Sequence, residues 1–312
     1  MSGPPGDNGV SGGRAHSFAV MAPWQDTRGR FAPLKALAFA ALFVPAAWLL
    51  YGFFARTLGP RPLTEIIHVS GDWAIRLLLI TLAITPLRQL LAWAGLIAFR
   101  RMTGVAALAY AGLHLAVYVA DVSFDLGKAA SEIWLRSYLT IGFVALLALI
   151  PLGVTSTNAM MRRLGGKRWR RLHQASYAIA VLAVVHFFWQ SKLDIREPVI
   201  VAGLYLWLMA FRLLPKTAQR GATMLAAMAA FAATAAALTA LTEALYYNLR
   251  VGAPLLRVLD ANLGFDNGAS AAMIVLAVTL LLVAAGAARA AVLALARRLG
   301  AGARALAPAS RA

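Results

Sequence analysis

An all-α polytopic membrane protein is the fold class this sequence predicts, and three observations predict it. Of its 312 residues, 61% are hydrophobic and 13% charged, too little polar surface to cover a soluble core of this size. Several apolar stretches reach the roughly 20 residues that a helix needs to cross a ~30 Å hydrocarbon layer. Hydrocarbon also offers no water to an unpaired backbone amide or carbonyl, so each such stretch is expected to be helical.

In chain order, residues 1–33 are polar, rich in Gly and Pro and without apolar periodicity. They read as a disordered tail and lack the pattern of a signal peptide. Eight apolar segments follow, near 36–55, 72–94, 102–120, 137–155, 172–190, 198–214, 222–245 and 269–295. The first six make one expected domain, 34–215, and the last two a C-terminal extension, 216–312. Within that extension the run from Ala226 to Ala240 is alanine-rich, which suits close helix packing or a face turned to lipid.

Charge sorts between the ends of these segments. Arg88, Arg100 and Arg101 fall on the same side as the N-terminal tail, as do Arg162, Arg163, Lys167, Arg168, Arg170 and Arg171. Arg212, Lys216, Arg220 and the basic C-terminal end join them, whereas most acids fall on the other side. The positive-inside rule then makes both termini cytoplasmic. The net charge of +18 is read as this topology signal, with lipid and not nucleic acid as the partner.

The chain has no cysteine, which excludes thiolate metal sites, iron–sulfur clusters and covalently attached haem. A redox centre must then hang on histidine, methionine, tyrosine or a non-covalent organic cofactor, and an ionisable side chain such as histidine inside a span is costly enough to mark a site. His114 lies about 12 residues into the third segment and His186 about 14 into the fifth, roughly 18 and 21 Å deep. Both segments run outward from the cytoplasm, so the two imidazoles reach similar depth, as bis-imidazole haem ligation in a bundle requires. Hydrogen bonding between helices is the plainer alternative.

His173 precedes His186 on the same segment by a rise of roughly 19–20 Å, but about 140° around an ideal helix. A straight helix does not aim both at one seam. Arg100 precedes His114 by a comparable rise and returns to within about 40° of its face. An arginine there suits a haem propionate or a flavin phosphate, or anchors the helix at the headgroups. His16 lies in the tail and His68 at the outer mouth of the second segment, where neither requires a function. Trp73, Tyr118, Trp134 and Trp189 are expected interface residues.

Several strings resemble one family in the right order. They are Ile67-His68-Val69-Ser70-Gly71, Thr85-Pro86-Leu87-Arg88, Leu113-His114-Leu115 and Thr155-Ser156-Thr157-Asn158-Ala159-Met160. Arg163-Leu164-Gly165 with Trp169, Leu172-His173, and His186 with Trp189 complete the set. Together these resemble the MsrQ (YedZ) family, haem-binding membrane subunits of a periplasmic protein-methionine-sulfoxide reductase system, over about residues 36–215. The resemblance implies a six-helix ferric-reductase-like transmembrane bundle with haem b, possible FMN, and a place in the bacterial inner membrane. It implies electrons drawn from the quinone pool and passed to a periplasmic molybdenum-containing methionine-sulfoxide reductase subunit. By position it makes His114, His173 and His186 haem ligands and places Arg100 beside them. The extension after residue 215 has no counterpart in the pattern, and docking of the periplasmic partner is one role open to it.

An electron-transfer subunit is therefore the first expectation, with sulfoxide chemistry on the partner. Beyond the sixth segment no glycine-rich nucleotide loop is seen, so an external donor such as quinol is expected in place of NAD(P)H. A cytochrome b561-like or stand-alone ferric reductase is the redox alternative. From another class, a proton-coupled transporter would use the same histidines as a relay, although no internal repeat is visible. An assembly factor without cofactor leaves His114 and His186 unexplained.

Overall fold

Apolar runs that satisfy their own backbone become the helices of the computed structural model, which describes residues 22–25, 28–265 and 268–305, with backbone alone for 300–305. Most of the expected disordered tail, His16 included, lies outside the described residues. The described residues up to Ala41 belong to one compact unit. Within it Gln25 and Phe31 make an antiparallel bridge, Trp24 packs on Phe39 at 5.7 Å, and α1 spans Pro33–Ala41.

The second unit starts at Leu42 and carries α2 (Val44–Phe54), α3 (Pro62–Leu90) and a 3-10 turn, Ala94–Phe99. Then come α4 (Arg100–Asp121), α5 (Leu126–Leu135), α6 (Ser137–Val154), α7 (Asn158–Leu164) and α8 (Gly166–Gln190). The helices α9 (Arg196–Leu213), α10 (Gly221–Val251), α11 (Leu255–Ala261) and α12 (Ala271–Ala305) complete it. There is no strand among the described residues.

Seven helices among the described residues are long and apolar enough to cross a membrane, one fewer than the eight segments read from the sequence. The difference is α9, whose 18 residues carry Arg196, Glu197 and Arg212 at their ends. It is nonetheless enclosed, with Val199, Val201, Trp207, Leu208 and Phe211 all buried. The other spans bury only 11–33% of their most apolar windows, and residues such as Trp48, Leu147, Ile150 and Leu281 stand exposed. Outward apolar faces of this kind are stable only against lipid; the chain is a membrane protein.

Packing pairs α3 with α4, α6 with α8, and α10 with both α9 and α12. Leu77, Leu78, Leu82, Ala107, Tyr110, Ile179 and Trp207 fill the shared core. The Tyr110 hydroxyl donates to Leu42 O at 2.7 Å and accepts from Ala46 N–H at 3.1 Å, so its buried polar tip is satisfied. Arg76, halfway along α3, pairs with Glu197 at 3.0 Å and lies 3.9 Å from Asp72. Gly165 turns the chain between α7 and α8 at φ +74°, a left-handed conformation that glycine adopts without strain.

Candidate functional site

The geometry around His114 and His186 starts from three helix pairings. The α3–α4 pairing sets His114 against the start of α3, and the α6–α8 pairing sets His186 against the start of α6. His114 Nδ1 lies 2.7 Å from Ile67 O, and His186 Nδ1 lies 2.7 Å from Tyr138 O. A carbonyl can only accept, so both rings must carry their proton on Nδ1. That leaves the Nε2 lone pair of each free to ligate, and fixes ring orientation as outer partners of metal-bound histidines do.

α4 also packs on α6, which brings the two rings together. Their centroids stand 6.2 Å apart with planes at 86°. Two imidazoles on opposite sides of one metal, each with a bond of about 2.0 Å, have ring centres roughly 6 Å apart. Tautomer, spacing and donor type all fit an iron held by two imidazoles, and both side chains are half-buried. No group of three or more His, Cys, Asp or Glu suited to a bare metal ion occurs among the described residues. A flat macrocycle that brings four of its own nitrogens needs only two protein ligands.

His173 stands elsewhere, at the far end of α6. Its Nε2 lies 3.1 Å from Thr155 Oγ1. The Thr155 hydroxyl donates to Pro151 O at 2.6 Å, so it accepts the Nε2–H of His173 and leaves Nδ1 as the free nitrogen. Trp169 stacks on the ring at 3.9 Å and 25° and donates its indole N–H to Thr155 O at 2.9 Å. Both histidines of α8 thus meet α6, one at each end. No second histidine faces His173 among the described residues.

The adjacent arginines divide. Arg101 donates to Asn158 Oδ1 at 2.7 Å, tying α4 to α7. Arg100 is half-buried and is a charged neighbour of His173, Tyr177 and Arg212. Arg212 was read only as a topology charge, yet it donates to Leu82 O at 2.7 Å and lies 4.9 Å over the Tyr177 ring. An ionisable side chain ending an apolar helix was the available signal. His68 is exposed on α3, where ligation finds no support.

The chain is similar in sequence to known membrane proteins. A family model described as "Ferric reductase like transmembrane component" matches residues 70–184, which hold His114, His173 and Arg100. The "Protein-methionine-sulfoxide reductase heme-binding subunit MsrQ" of Xanthomonas axonopodis pv. citri (strain 306) is 46% identical over 196 residues, 61% of this chain and 89% of that protein. The subunit of the same name from Azospira oryzae (strain ATCC BAA-33 / DSM 13638 / PS) is 36% identical over 200 residues, 64% of this chain and 86% of that protein. No solved structure matches.

Proposed function

The chain belongs to the MsrQ family of protein-methionine-sulfoxide reductase haem-binding subunits, and from that premise we propose that it is an electron-transfer subunit holding haem b between His114 and His186. The observation that carries the reading is the facing pair of rings 6.2 Å apart, each with Nδ1 held by a backbone carbonyl. Bound haem supplies a one-electron centre whose potential follows its ligands and surroundings. His114 and His186 would hold it, their carbonyl partners keep Nε2 in ligating form, and the apolar bundle limits access of water.

Arg100 and His173 make a second polar site toward the other end of α8. The Arg100 guanidinium suits a haem propionate or the phosphate of FMN by two parallel hydrogen bonds. His173 ligates through Nε2 only if the bond to Thr155 is given up, so the phosphate or propionate reading leans on Arg100. Electrons enter from quinol in the inner membrane and leave toward a periplasmic molybdenum-containing methionine-sulfoxide reductase, where oxidised methionine is repaired. The name of the relatives supports a methionine-sulfoxide reductase as partner; the charge asymmetry supports the orientation of the helices.

Protein purified from haem-replete cells should give a b-type reduced-minus-oxidised spectrum. His114→Ala and His186→Ala should each lose the signal of this haem. If both variants keep full haem, the axial pair is wrong. Co-purification with a periplasmic molybdoenzyme tests the partner separately.

A further inference from the structure

We infer that Gly71 and Gly142 are the positioning residues of the two histidines: each opens a notch in a neighbouring helix through which an imidazole reaches a helical carbonyl. The inference rests on the haem reading above and goes beyond it, because both glycines act on the histidines and neither coordinates iron. The two notches share one construction. Ile67, whose carbonyl meets His114, lies four residues before Gly71, and Tyr138, whose carbonyl meets His186, lies four residues before Gly142.

Helix geometry explains the spacing. In an α-helix the Cα–Cβ bond tilts toward the N-terminus, so the Cβ of residue i+4 sits beside the carbonyl of residue i. That carbonyl already accepts the i+4 amide and has a second lone pair to offer. A side chain at i+4 stands in the approach to it. A Cβ built on Gly71 would lie 2.9 Å from His114 Nδ1, and one on Gly142 would lie 2.7 Å from His186 Nδ1. Both are closer than carbon and nitrogen tolerate, and both name the same atom, the nitrogen that must donate. Ser70 also donates its hydroxyl to Ile67 O at 3.0 Å, so the first notch carries one donor more than the second.

Most other glycines do not share this property. Gly112, two residues before His114 on α4, has nothing within 4 Å of an added Cβ, and Gly104 meets only Thr81 at 3.4 Å or more. Gly52, Gly95, Gly153, Gly203 and Gly286 are as closely faced, but by Leu, Trp, Thr or Val atoms, so among the described glycines Gly71 and Gly142 are the ones whose notch admits an imidazole.

A methyl at either notch pushes the ring off its carbonyl. The Nδ1–H then loses an acceptor, the imidazole becomes a weaker donor to iron, and ferric haem is less stabilised. Gly71→Ala and Gly142→Ala in the full-length, haem-loaded protein should each lower haem affinity on the order of 10–100-fold, the usual effect of losing such an outer partner. Haem that is retained should show a raised midpoint potential and shifted low-spin g values. Gly112→Ala should match the parent in content, potential and g values.

The outcomes separate. If His114→Ala and His186→Ala keep full haem, the axial reading fails and the notches fall with it. If those variants lose haem while both glycine variants keep parental content, potential and g values, the notch inference alone is overturned. Should Gly71→Ala fail to fold, Gly71→Ala/His114→Ala removes the ring that the methyl meets. It should recover the folded yield of His114→Ala, and no recovery overturns the inference. The pair Gly142→Ala/His186→Ala is judged in the same way.

Discussion

Of the four histidines on spanning helices, His114, His173 and His186 are separated more sharply by their hydrogen bonds than by their sequence positions. His114 and His186 give Nδ1–H to a helical carbonyl and keep Nε2 free; His173 gives Nε2–H to Thr155. Depth was legible from residue counts, because 1.5 Å per residue needs no neighbours. The tautomers were not, since each depends on an acceptor 47 or 48 residues away in sequence for the outer pair. Gly71 and Gly142 were invisible as supports for the same reason. We expect His173→Ala to retain the b-type spectrum that His114→Ala abolishes, because the outer pair makes no contact through His173. Potentiometric titration of the purified variant checks this, and loss of all haem would contradict it. At Arg212, two carbonyls and the Tyr177 face hold one guanidinium. Hydrogen bonds from a charged group are worth about 1.5–3 kcal/mol each, so Arg212→Met should lower the Tm of the solubilised protein by several degrees.

At the scale of elements, α9 joins the region shared with the family to the helices after residue 215. Its Gly203 faces Thr239 of α10 at a contact with no room for a Cβ, and Val275 of α12 at 2.9 Å. Trp207, 1% exposed, donates its indole N–H to Met228 O at 3.0 Å. The alanine-rich stretch reads as suited to close packing or to a lipid-facing side, and Ala232, Ala235 and Ala236 are buried while Ala226, Ala230, Ala233 and Ala237 are exposed. What composition did not reveal is the partner, or that α9 is the most enclosed of these helices despite its charged ends. Gly203→Val should overpack this junction and cost about 1–3 kcal/mol, read as a fall in Tm, while Gly166→Ala in open space should be neutral. The same extension reaches the loop that follows His186. Tyr246 donates to Lys192 O, Tyr247 to Leu193 O at 3.0 Å, and Arg196 to Ala269 O at 2.7 Å. Replacing both tyrosines by Phe should speed hydrogen exchange across residues 191–195 and leave the centres of α4 and α6 protected. Unchanged exchange there would show that the loop holds its shape without the extension.

For the whole molecule, the question is which end of the bundle faces the periplasm, because the histidine pair is not central. His114 lies seven residues from the end of α4 at Asp121, about 10 Å along the helix, and His186 lies four from the end of α8 at Gln190. The arginines at the start of α4 and through α7 and α8 mark the opposite end. With those arginines inside, as proposed, His114 and His186 would stand in the outer half, toward the proposed periplasmic acceptor, and Arg100 and His173 in the inner half. Reversed, the same helices would deliver electrons to the wrong compartment whatever the ligands. The absence of cysteine makes the test direct, since one introduced thiol is the only one present. Lys128 on α5 and Lys167 at the start of α8 are both exposed and belong to opposite ends. A membrane-impermeant maleimide added to the outer face should label Lys128→Cys at once. Lys167→Cys should be labelled only after the membrane is opened. The opposite pattern would invert the topology and remove the periplasmic route, while leaving the two imidazoles and their carbonyls as they are.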